Sequence, residues 1–286
     1  MTRCLLLAFA AMATVACSAQ AVLTQQVEAR RLASDVEVQF SRALGASNRA
    51  VMSDADEDSR AAVREAEQAT QVVLRDTEQL RTILKSMGYS TEVGLLDAFT
   101  KRFDDYRTLD AEILPLALEN TNAKAQRLSF GPAAEAINEF RTALEAAVTT
   151  SSVDVRPRIE LMAARAAVAV LDIQVLHAPH IAEAEDEAMT RMEQKMAASE
   201  KQARTALTQL QALLPATSRP QLTAATSALD AFMKVHAEII MLSRRNSDVR
   251  SLSLSLGRKR MVTALCDDQL RALQESLAKH SVGATR

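Results

Sequence analysis

Apolar residues recur along almost the whole chain at alternating spacings of three and four. Ala66, Thr70, Val73, Thr77, Leu80, Leu84 and Met87 form one such row, and Leu96, Phe99, Phe103, Tyr106, Asp110, Ile113, Ala117 and Asn120 form a second. Met189, Met192, Met196, Ser199, Ala203, Leu207, Leu210 and Leu214 form a third. This is the period of near-parallel helices packed knobs into holes. The one strand-like alternation, Ser251 to Leu256, lies between helical stretches and is read as helical too.

Capping residues and prolines interrupt the rows at residues 53–56, 88–91, 120–122, 149–152, at Pro157, Pro179 and Pro215 to Pro220, and at 246–248. Eight helices follow, near 22–51, 55–87, 91–119, 122–150, 156–178, 180–214, 220–245 and 247–281. Pro115 falls inside the third, where a kink is expected.

The second half repeats the first. Leu96-Asp97-Ala98-Phe99 matches Leu229-Asp230-Ala231-Phe232 at an offset of 133, and Asn120-Thr121-Asn122 matches Asn246-Ser247-Asp248 at an offset of 126. Leu128-Ser129-Phe130-Gly131 matches Leu254-Ser255-Leu256-Gly257 at that same later offset. The difference is one heptad, which keeps the same face inward. The expectation is an all-α protein of two tandem antiparallel four-helix bundles, residues 22–150 and 151–286, after a leader at 1–21.

Composition supports the helical reading. Six Gly and six Pro in 286 residues leave few turns, and no Trp with 3% aromatic residues argues against aromatic-lined pockets. A net charge of −2 gives no basic field for nucleic acid. The leader, Arg3 followed by an apolar run and Ala19-Gln20-Ala21, predicts export with cleavage after Ala21. Lipidation at Cys17 in Thr14-Val15-Ala16-Cys17, or an uncleaved anchor over Cys4 to Leu23, are the alternatives. The location is then periplasmic or membrane-tethered. Cys266, on an apolar helix face with no His nearby, reads as a core residue.

Two features, Asn120 to Pro132 and the preceding Leu95-Leu96-Asp97-Ala98-Phe99 helix, resemble the four-helix-bundle sensor module of methyl-accepting chemotaxis receptors. The resemblance implies an extracytoplasmic module of signal transduction, in tandem and without a signalling domain. Its partner would be a small organic acid or amino acid, or a membrane receptor protein.

Up-down topology would gather polar residues at matching bundle tips. Arg49, Asn120, Asn122 and Lys124 would bind a ligand at the first, and Arg244, Asn246 and Arg250 at the second. His177-Ala178-Pro179-His180 has the one metal-like spacing, with the two histidines as candidate ligands of Zn²⁺ or Cu²⁺. His236, in a seam position, reads as a core histidine. No GxSxG, Walker, Rossmann, HExxH or CxxCH signature occurs, so the reading is non-enzymatic. An envelope adaptor and a metal-handling protein are the competing functions.

Overall fold

The computed structural model describes residues 2–152 and 154–283, without the side chains of residues 1–19, 21 and 281–283. The leader, with Cys4, Cys17 and the expected cleavage point at Ala21, thus has its side chains outside the described residues. Among the described residues every element is helical, and no helix is long and apolar enough to cross a membrane.

The elements are α1 (Thr2–Met52), α2 (Asp56–Ser86), α3 (Ser90–Glu119), α4 (Thr121–Phe130), α5 (Pro132–Thr149), α6 (Arg156–Ala182), α7 (Asp186–Leu213), α8 (Arg219–Arg245), α9 (Ser247–Leu254) and α10 (Arg260–Gly283). A 3₁₀ turn, Ala216–Ser218, precedes α8, and a π-helical turn, Ser255–Lys259, joins α9 to α10. Most expected breaks fall close to observed ones, Gly131 adds a break inside the expected helix 122–150, and Ser251 to Leu256 is helical. Pro179 differs. It sits inside the last turn of α6, which runs on to Ala182 at the loss of the one backbone bond a proline cannot donate. Pro115 lies within a continuous α3, beside a cavity of about 270 Å³ lined by Asp110, Ala111 and Leu114.

The chain divides into two compact units, but not at residue 150. One unit comprises residues 1–118 and 251–286, the other residues 119–250. Helices α1, α2, α3 and α10 therefore form unit 1, while α4 to α8 form unit 2. The helix that ends each sequence repeat has joined the unit made by the other repeat.

Each unit has its own apolar core. In unit 1, Phe40 meets the edges of Phe99, Phe103 and Tyr106, the last at 5.3 Å between centroids, over buried Leu80, Leu84 and Leu270. Cys266 is buried in the same core, where burial pushes its thiol up to about 12. Unit 2 centres on Phe140, Val170, Ile173, Leu210, Leu229 and Phe232.

Candidate functional site

Polar clusters interrupt these apolar cores. The first lies where the chain enters and leaves unit 2. Asn120 and Asn246 both adopt left-handed backbone, φ 52° and 53°. Asparagine tolerates this conformation better than any residue except glycine, so each helix breaks there at a single residue. The four N–H groups that open a helix need acceptors, and here two on each helix find them in the other repeat. Thr121 N–H donates to Ser247 Oγ (3.1 Å), and Ser247 N–H donates to Thr121 Oγ1 (3.0 Å). Asp248 N–H donates to Asn122 Oδ1 (3.2 Å), and Ala123 N–H donates to Asp248 Oδ2 (3.0 Å). Thr121 with Ser247, and Asn122 with Asp248, are pairs at the 126-residue repeat offset, so each repeat caps the other.

Most of the expected ligand residues are consumed by this lock. Asn122 Nδ2 donates to Ile181 O (2.6 Å) and Asn246 Oδ1 (2.8 Å), while Asn246 Nδ2 donates to Glu183 O (2.8 Å). Lys124 Nζ donates to Glu119 O at 2.7 Å. Asn120 is buried, and Arg250 is exposed with its charge helping Arg245 to hold the Glu119 carboxyl below its usual range. Arg49 belongs to unit 1, where it pairs with Glu65 at 2.5 Å. The structure thus brings Asn122 and Asn246 together as structural groups and assigns Arg49 a separate ion pair.

The second cluster is a chain of imidazoles in unit 2, with His177 and His180 buried and His236 half-buried. His177 and His180 face the core because α6 places them three residues apart on its inner side. His177 Nδ1 meets Ser129 Oγ at 3.1 Å, and its Nε2 meets His236 Nδ1 at 3.0 Å. His180 Nδ1 meets Ser243 Oγ at 2.7 Å, and its Nε2 meets Glu193 Oε1 at 2.9 Å. Arg244 completes the group, with Nε on Glu193 Oε1 at 2.7 Å and Nη2 on Thr190 Oγ1 at 2.7 Å. All four ring nitrogens of His177 and His180 are engaged, each with a different partner. Among the described residues no group of three His, Cys, Asp or Glu is arranged to hold a metal ion. In this structure both nitrogens of each expected zinc or copper ligand are held in hydrogen bonds, and His236, half-buried at its seam position, is one of their partners.

This chain makes stability depend on pH. Burial, reinforced by His236 and His180, lowers His177 to about 4, and burial lowers His236 as well. A histidine depressed in the folded state binds its proton more readily when unfolded, so stability falls as pH drops from 6.5 towards 4. For His177 the loss is about 3 kcal/mol across that window. Glu193, held low chiefly by Arg244, adds a further loss only below the ordinary carboxylate range. Denaturant titrations at pH 7 and pH 5 should show unit 2 weakening, and His177→Gln should flatten that slope. An unchanged slope would mean that His177 does not titrate as its burial requires.

The third cluster was not foreseen from the sequence. In unit 1, Lys259 is buried, with Nζ 2.5 Å from Asp110 Oδ1, a further bond to Ser47 Oγ, and 5.0 Å to the Tyr106 ring centroid. Ser47 Oγ also donates to Asp110 Oδ1 at 2.9 Å. Burial pulls the Lys259 ammonium below its usual range, while Asp110 opposes that shift. Lys259 ends the π-helical turn, which inserts one extra residue into the helix and so rotates the next side chains by about 100°. Beside the turn, α1 and α9–α10 enclose a groove of about 330 Å³. Leu44, Val51, Met52, Leu252 and Leu256 give it apolar walls, and Asn48, Ser255 and Arg260 supply polar groups at its edge. Ser255 Oγ donates to Asn48 Oδ1 at 3.3 Å. Arg260 makes no ion pair among the described residues.

The sequence matches no protein-family model and no curated protein.

Proposed function

We propose that the protein is a non-enzymatic sensor or ligand-binding module, exported and either free in the periplasm or tethered through Cys17. Its architecture would be two four-helix bundles that exchange their last helices, a variant of the module its sequence resembles in chemotaxis receptors. The observation that carries this reading is the groove at the π-helical turn. An apolar cleft with one unpaired guanidinium and neighbouring amide and hydroxyl groups suits a small organic acid or amino acid. Arg260 would take the carboxylate, Asn48 and Ser255 would orient it, and the Leu44, Val51 and Leu256 walls would cover the carbon chain.

The turn also supplies what a sensor needs, an element with two alternative arrangements. A π turn can relax to α-helical register, and a ligand that prefers one register shifts the balance by its difference in affinity.

A thermal-shift screen with organic acids and amino acids tests the reading. A true ligand at one hundred times its dissociation constant stabilises the protein by about 2.7 kcal/mol. Arg260→Ala and Asn48→Ala should abolish the shift while leaving unliganded melting almost unchanged. If shifts survive both substitutions, the ligand binds elsewhere and the groove is not the site.

A further inference from the structure

Helix α6 is apolar on two sides. Its inner side packs Ile159, Ala166, Val170 and Ile173 into the unit 2 core. Its outer side carries Leu161, Ala164, Val168, Leu171, Val175 and Ala178, all exposed, at spacings of 3, 4, 3, 4 and 3. Val168 is 55% exposed and Val175 71%, and grooves of about 470 and 620 Å³ run beside the helix against α5 and α7. A helix apolar all round is normally covered, and this outer row has the heptad spacing of a coiled-coil seam.

We infer that the outer face of α6 is a self-association surface, occupied by the same helix of a second copy running antiparallel. Shape and charge select that occupant. In antiparallel pairing Leu161 lies over the partner copy's small Ala178 position, Val175 over its Ala164 position, and Val168 over its Leu171 position, so large residues meet small ones. Parallel pairing would stack Ala164 on itself and leave a void. The two charges on the flank of the seam, Arg165 and Asp172, make no ion pair within the described residues. Antiparallel pairing puts both on the shared flank, each Arg165 beside the other copy's Asp172. The contact is isologous, so the pair forms twice.

Charge reversal tests this on the purified protein, with mass measured by light scattering and sedimentation over a concentration series. The unaltered protein should dimerise. Val168→Glu should yield folded monomers of unchanged helicity, since the side chain is exposed. Arg165→Asp and Asp172→Arg should each raise the dissociation constant about tenfold or more, because two attractions become repulsions. An equimolar mixture of these two variants should regain dimers, since every cross-pair is again opposite in sign, and the double variant should dimerise by itself. A protein that stays monomeric at all concentrations overturns the inference. Dimers indifferent to Val168→Glu, or single variants that fail to rescue each other when mixed, overturn it equally.

Discussion

Replacing Lys259 with alanine is expected to destabilise unit 1 by about 3–5 kcal/mol, among the largest effects of any single substitution outside the apolar core. The substitution strands the Asp110 carboxylate, which is 6% exposed and would lose its buried cation while keeping the Ser47 hydroxyl as a partner. An ionised carboxylate in that setting must either tolerate its desolvation or take up a proton, and both outcomes cost stability. Removing both charges is a different matter. Lys259→Met with Asp110→Leu replaces an ion pair that is expensive to bury by apolar side chains of similar size, and should be near neutral or stabilising. Denaturant unfolding of the single and double variants measures the contrast. If Lys259→Ala costs less than about 1 kcal/mol, the pair is not desolvated as described.

The same pair shows where sequence reading stops. Asp110 stands in an otherwise apolar seam, Phe103, Tyr106, Asp110, Ile113, and a carboxylate there calls for a buried cation. That signal was legible. Its partner was not, because Gly257-Arg258-Lys259-Arg260 reads as a solvated basic run, and only the extra residue of the π turn rotates Lys259 inward. Most helix positions were legible, since three-four spacing and capping residues act locally, but the break at Gly131 and the run of α6 past Pro179 were not. Which helices share a core was not. A heptad row specifies the face that is buried but not its partner, and two repeats with the same row offer each last helix two equivalent berths. One clue lay at the breaks. Helix hairpins need about two to eight connecting residues, whereas Asn120 and Asn246 each separate two helices by a single left-handed residue.

The tip residues were misplaced for the same reason. Asn122 belongs to the first repeat and Asn246 to the second, so their amides were assigned to two separate ligand sites, whereas in the structure Asn122 Nδ2 donates to Asn246 Oδ1 at 2.8 Å. His177 and His180 were read on either side of a break at Pro179, whereas α6 runs on to Ala182 and carries both on its inner side. Spacing alone could not tell that Ser129, His236, Ser243 and Glu193 would occupy their nitrogens.

The exchange of last helices is the central claim, because the proposed ligand groove exists only if α1, from the first repeat, meets α9 and α10, from the second. A specific protease site placed in the joint at residues 150–155, between α5 and α6, tests it directly. After cleavage under native conditions, the two fragments should stay together at the mass of the intact chain and separate only in denaturant. Each unit would still require helices from both, and the ligand-induced thermal shift should persist. Two independently folded fragments, each eluting alone with full helicity, would contradict the exchange and return the chain to two tandem bundles.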